Sequence, residues 1–228
     1  EVLRVSITLA YEQAQPDITQ HYPVKATSPF AQQLAEAMED GYKRLLAPAM
    51  EREVHVELTR QAEEHAINIF AANLRNLLLQ PPLRGRKVLG IDPGYRTGCK
   101  LTVVDETGMY IDSDTIYLHQ ADKAQQTLRK LLAQHNIDVI AIGNGTASRE
   151  TEQMVAALIQ QLEQETGKHG QIGYVIVNEA GASVYSASEA ARQEFPTLDA
   201  TQRGTISIAR RLQDPLAELV KIDPKAVG

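Results

Sequence analysis

Cysteine is almost absent from this 228-residue chain. Cys99 stands alone, which excludes an internal disulfide and any cysteine-rich zinc site and suits a reducing cytoplasm. Long hydrophobic runs are missing too: nothing approaches the roughly 18 apolar residues of a membrane span, and the first residues do not read as a signal peptide. Basic charge is scarce. Lysine and arginine number 23 against 29 acidic residues, a net charge of −6 with a pI of about 5.6. The first 87 residues hold 10 basic and 11 acidic side chains, leaving −5 for the rest. Duplex-binding domains show a basic patch and a high pI, so this stretch alone is expected to hold nucleic acid weakly. Catalytic signatures are also lacking. The six histidines show no metal-ligand spacing, and neither a Walker loop nor a Gly-x-Ser-x-Gly elbow occurs. Glu1 is not an initiator methionine and Gly228 ends a short tail, so the chain is expected to be a fragment of a longer one.

What is present, 43% hydrophobic and 23% charged residues, reads as globular, with room for one large domain or a domain and an appendage. Residues 2–9 alternate apolar and polar, the period of a strand. Pro16, Pro23 and Pro29 then mark a broken polar connector. Ser28-Pro29 reads as a capping hydroxyl followed by proline at the first helical position, opening a helix to about Leu46. Pro48 opens a longer one through Leu79, stopped by Pro81-Pro82. Its stripe of Val54, Leu58, Ala62, Ile69, Leu74 and Leu77 is expected to pack on a neighbouring domain. A helical hairpin with one strand builds no core, so that strand is expected to pair with chain lying outside these residues. Residues 83–87 read as a linker. This divides the chain into a mainly helical segment, 1–86, and a second domain, 87–228.

From Lys87 the pattern changes. Strands are expected at 87–91, 99–105 and 109–118, with a turn at Thr107-Gly108. A helix at 121–135, a strand at 139–142, a helix at 147–165 and a strand at 174–177 follow, then helical stretches at 182–194 and 201–220. Gly90-Ile91-Asp92-Pro93-Gly94 superficially resembles a dinucleotide fingerprint, but that loop must enter a helix. Here it enters a strand in which Cys99, Leu101 and Val103 alternate. A sugar-kinase or actin-type ATPase shares the βββαβα unit but clamps its nucleotide between two copies, and only one fits this length. Three hairpin-connected strands followed by right-handed crossovers give an α/β fold, a mixed five-stranded sheet of order 3-2-1-4-5 flanked by helices. Strands one and four then meet at the switch point, where ligands bind. Asp92 stands at one strand end, Gly143-Asn144-Gly145 at the other, and Glu179 just past strand five.

Four stretches at these places resemble the YqgF-like domain of the Tex family of bacterial transcription accessory proteins. They are Gly90-Ile91-Asp92-Pro93-Gly94 through Lys100, Ile142-Gly143-Asn144-Gly145-Thr146 through Glu152, Asn178-Glu179-Ala180-Gly181 through Glu189, and Arg203-Gly204 through Lys225. Together they span most of residues 87–228, while residues 1–86 resemble part of the family's central helical region. The resemblance implies an RNase H-like fold related to the Holliday-junction resolvases and a role in transcription. It implies RNA or DNA as partners, contacted mainly through helix-hairpin-helix and OB-fold segments beyond Gly228, together with the transcription machinery and no membrane.

Nucleases of that superfamily hold two divalent cations about 4 Å apart with three or four carboxylates. Asp92 supplies the first acid and Glu179 matches a YqgF acid after strand five, so these two are the candidate ligands for Mg²⁺ or Mn²⁺. At the end of strand four, where the resolvases have an acid, this chain offers Gly143 and Asn144. The last-helix stretch, 201–208, contains Arg203 and no carboxylate; Asp199 lies upstream and reaches the site only if the helix begins early. Two readings stay open: a binding mouth with vestigial acids Asp92, Glu179 and Asp199, and a metal-dependent nuclease. A bland one stands beside them, since Asp-Pro-Gly and Gly-Asn-Gly-Thr are ordinary turns, the latter with Thr146 or Ser148 as helix cap. Candidate binding residues are Arg96, Asn144, Arg149 and Arg203. Arg149 is the most telling, because a cation in the first turn of a helix opposes the macrodipole. Its placement is explained if it faces the mouth, pairing with Asp92, Glu179 or a bound phosphate.

Overall fold

The computed structural model describes residues 5–227. The chain divides into two compact units, Glu1–Ile69 and Phe70–Gly228. In the first, helices α1 (Tyr11–His21) and α2 (Ala31–Gly41) are followed by a π-helical turn, Tyr42–Leu46, and by the long helix α3 (Ala47–Leu78), which runs on into the second unit.

Four expectations fail here. No strand forms over residues 5–10, and residues 2–4 of the expected strand lie outside the described residues. Alternation alone does not make a strand when nothing pairs its backbone groups; the Ile7 N–H instead donates to Glu51 Oε1 at 3.4 Å. The supposed connector is α1. Tyr11 and Ala14 gain burial against Tyr42, whose hydroxyl donates to the Leu9 carbonyl at 2.7 Å, and that packing outweighs Pro16 inside the helix. Ser28 does not cap at Pro29: its Oγ accepts from the Phe30 N–H and the helix starts at Ala31. At Pro48 the chain stays helical, because the wider π turn just before it makes room for the proline ring.

The second unit holds β1 (Val88–Asp92), β2 (Cys99–Val104), β3 (Tyr110–Ile116), α4 (Ala121–His135), β4 (Val139–Gly143), α5 (Ser148–Thr166) and β5 (Gly173–Val177). Helices α6 (Ala182–Ala187), α7 (Glu189–Glu194), α8 (Ala200–Gln213) and α9 (Pro215–Leu219) follow. The sheet runs β3-β2-β1-β4-β5, with β1–β2 and β2–β3 antiparallel and β1–β4 and β4–β5 parallel. This is the expected mixed five-stranded sheet of order 3-2-1-4-5 flanked by helices. Both late helical stretches break where the sequence carries a cap: Ser188 Oγ accepts from the Ala191 N–H at 3.2 Å, and Asp214 caps α9 ahead of Pro215.

Strand alternation sorts the core onto two faces. Leu89, Ile91, Leu101, Ile140 and Ile142 meet α4 and α5 through Leu128, Val155 and Leu158. Val88, Val104, Val139 and Ala141 meet α8 through Ile206, Ile208 and Ala209. Gly90, also on the α8 face, is small enough to let α8 lie close: a methyl there would sit 2.8 Å from the Thr205 carbonyl oxygen. Leu74 and Leu77, near the end of α3, pack with Tyr185, Leu219 and Ile222, whereas Val54, Leu58 and Ile69 of the same predicted stripe are exposed.

A candidate acidic mouth at the strand ends

Asp92 ends β1 and, by alternation with Val88 and Gly90, lies on the α8 face. Gly143 ends β4 on that same face, with Ile208 nearby. Glu179 follows β5 by two residues and folds back over the β4–α5 turn, where a Cβ on either Gly143 or Gly145 would collide with its carboxylate. Glycine at both positions leaves the carboxylate that room. The Glu179 N–H donates to Asn144 Oδ1 at 3.1 Å. Asn144 therefore latches the Glu179 loop. Asp92 and Glu179 face a cavity of about 290 Å³ whose other walls are Ala182, Ser183, Ser186, Ala200, Thr201, Gly204 and Ile208.

Two acids share this mouth with incomplete compensation. Burial pushes the Asp92 carboxyl above the usual aspartate range, against the opposing pull of Lys100. Burial also raises Glu179, and the Asp92 charge raises it further, while the Gly145 N–H and Arg211 act the other way. A carboxyl raised on folding is a penalty above its folded pKa; the penalty fades as pH falls through that value and is gone below the unfolded one. Asp92→Asn is therefore expected to raise the Tm at pH 7 by about 2–4 °C, for about 1 kcal/mol in a chain of this size. The gain should shrink as melting is repeated at lower pH and vanish in the acid range. An equal gain at every pH would show that ionisation is not its source.

The other predicted residues are not gathered here. Asp199 is the N-cap of α8: its Oδ1 accepts from the Gln202 N–H at 2.8 Å, and it lines a separate hollow beside Lys100 and Thr115. The helix starts directly after it, too late to turn the carboxylate toward Asp92. Arg203 turns back along α8, donating through Nε to the Asp199 carbonyl at 3.2 Å. Arg96 and Arg149 are exposed, and among the described residues no ion pair joins Arg149 to Asp92 or Glu179. Neither Thr146 nor Ser148 caps α5; the N-cap is Ala147, at a left-handed φ of 71°. The sequence reading missed Arg211, which is 4% exposed and donates to the Asn178 and Ala180 carbonyls on either side of Glu179. Its signal was available: Gly204, Ile208 and Arg211 share one face of α8 at helical spacing.

Among the described residues no three of His, Cys, Asp and Glu come together in a metal-binding group. Two carboxylates raised by burial, a neutral Asn144 engaged by backbone and an Asp199 consumed as a cap do not fit a pair of divalent cations. No helix among the described residues is long and apolar enough to cross a membrane.

The model of the Tex protein YqgF-like domain matches residues 86–213. The chain is 57% identical over 199 residues to the protein YdcI of Bacillus subtilis, covering 86% of this chain and 27% of that protein. To the transcriptional accessory protein Tex of Neisseria gonorrhoeae it is 44% identical over 237 residues, covering 98% of this chain and 30% of that protein. It thus spans under a third of the length of these curated relatives. Among solved structures, Thermus thermophilus RuvC overlaps 60% of this chain and 98% of its own, at 13% identity and a TM-score of 0.40. The family match takes in all five strands and α8, the elements that build the mouth, and so the chain belongs to the Tex protein YqgF-like domain family.

Proposed function

We propose that this stretch acts as a non-catalytic, nucleic-acid-associated scaffold within a transcription accessory protein. Residues 87–228 form the working domain in this reading, and residues 1–86 belong to a linking helical segment. RNA or DNA is held mainly by other parts of the longer protein, and the domain serves the transcription machinery in a reducing cytoplasm, in keeping with the lone buried Cys99. Family membership and a relative named as a transcriptional accessory protein support the assignment. The observation that carries it is the donor count: the mouth offers Asp92 and Glu179, with Asp199 tied to its helix and Arg203 on the helix that would bear the last acid. Arg96 and Arg149, exposed and free of carboxylate partners at the mouth, are the residues that would meet a phosphate or an acidic partner.

One observation favours the nuclease reading instead: Asp92 and Glu179 do face the same cavity. The chain, incubated with a four-way DNA junction or structured RNA and Mg²⁺ or Mn²⁺, is expected to give no cleavage above a metal-free control. Robust turnover that disappears in Asp92→Asn would overturn the scaffold assignment.

A further inference from the structure

A cavity of about 420 Å³ shares no lining residue with the acidic mouth, and no part of the proposed scaffold role uses it. It lies wholly within the second unit, walled by the β2–β3 turn, α7, the end of α8 and α9. Its volume is that of a small-molecule site. Three basic side chains line it against four acidic ones.

The basic groups are already engaged. Lys221 Nζ donates to Glu194 Oε1 and Oε2 at 3.0 and 3.2 Å and to Glu218 Oε2 at 2.9 Å, which uses all three of its protons. Arg210 donates through Nε to the Gly108 carbonyl at 2.7 Å and through Nη1 to Glu194 at 3.2 Å, and its guanidinium lies over the Phe195 ring at 4.8 Å. Arg84 pairs with Asp214 at 2.7 Å.

Two buried acceptors are not engaged. Gln213 is 6% exposed, and its Nε2 donates to the Arg86 and Asp105 carbonyls at 2.8 and 2.7 Å. Carbonyls only accept, so this fixes the orientation of the amide. Its Oε1 is thereby turned to Gly108, and among the described residues it takes no hydrogen bond. Glu218 is 2% exposed, and its Oε1 is buried without a partner. Glu106, exposed in the same wall, has Lys87 no nearer than 3.8 Å. Buried acceptors left unpaired cost stability, and a charged donor satisfies them best. An anion would meet the acidic excess and the two oxygens unfavourably, whereas a cation gains from both.

We propose that this cavity binds an organic cation, a guanidinium or primary ammonium group whose N–H donors meet Gln213 Oε1 and Glu218. Its charge offsets the acidic excess of the walls. A free guanidine or amine offers this chemistry, and so does the tip of an arginine or lysine side chain from another polypeptide. The site goes beyond the scaffold role and does not depend on whether the mouth cleaves nucleic acid.

NMR titration of the whole chain at low ionic strength tests this with three probes. Agmatine stands for a free cation and acetyl-arginine amide for a side chain; acetyl-citrulline amide has the arginine shape without the charge. Either cation should shift the Gly108 backbone amide and the Gln213 side-chain amide saturably, and the citrulline probe should not. Tighter binding of agmatine assigns a free ligand, and tighter binding of the arginine probe assigns a side chain. Glu218→Gln should weaken binding by about tenfold, the loss of one charge-assisted hydrogen bond. Ala217→Leu, at an exposed position in the cavity wall, should fill the space and abolish the shifts. The proposal is overturned if neither cation moves these signals, if the citrulline probe matches them, or if binding is unchanged in both variants. Should Glu218→Gln not fold, Ala217→Leu decides.

Discussion

Gly90→Ala is expected to destabilise the domain by about 3 kcal/mol, the upper end for forcing an extra methyl into a packed core. The added Cβ would lie 2.8 Å from the Thr205 carbonyl oxygen and 2.9 Å from Ala209 Cβ. Neither is the end of a flexible side chain, so α8 as a whole must lift from β1. For a chain of this size the Tm should fall by about 6–12 °C. Gly173→Ala, in edge strand β5 with nothing within 4 Å of the new methyl, is the control and should leave the Tm unchanged or slightly raised. A Gly90→Ala melting curve that overlays the parent would mean that α8 does not press on the sheet at this point.

Ile206→Ala should cost a further large sum, about 2–5 kcal/mol, as a buried isoleucine leaves a void that its neighbours fill only in part. Ile206 is fully buried among Val88, Val104 and Ala141. The contrasting substitution is Val56→Ala on α3, where the side chain is 69% exposed; its effect should stay within about 0.5 kcal/mol. Urea midpoints measured on both variants separate the two cases. Equal shifts would show that burial on the α8 face does not dominate stability. Because α8 also carries Gly204, Ile208 and Arg211, a loosened Ile206 should disturb the mouth as well.

How far each feature was legible follows from the range of the forces behind it. The sheet order came through because hairpin spacing, helical spacing and the handedness of crossovers are local or generic rules. The same holds for Asp92 and Glu179, since strand ends place them wherever the sheet forms. The N-terminal region was the least legible. Its α1 depends on Tyr42, 31 positions beyond Tyr11, and its expected strand needed a pairing that the described residues do not provide.

By itself, then, the sequence determined the α/β class, the order of the sheet, the family resemblance and the poverty of carboxylates at the mouth, because each depends on residue identity and spacing along the chain. Tertiary packing alone folds Glu179 over Gly143 and Gly145 and brings Arg211 to the backbone carbonyls on both sides of Glu179. Those facts depend on which groups burial brings within a few ångströms of one another across 30 or more positions of chain, and on how far the interior raises the cost of leaving a charge there unpaired.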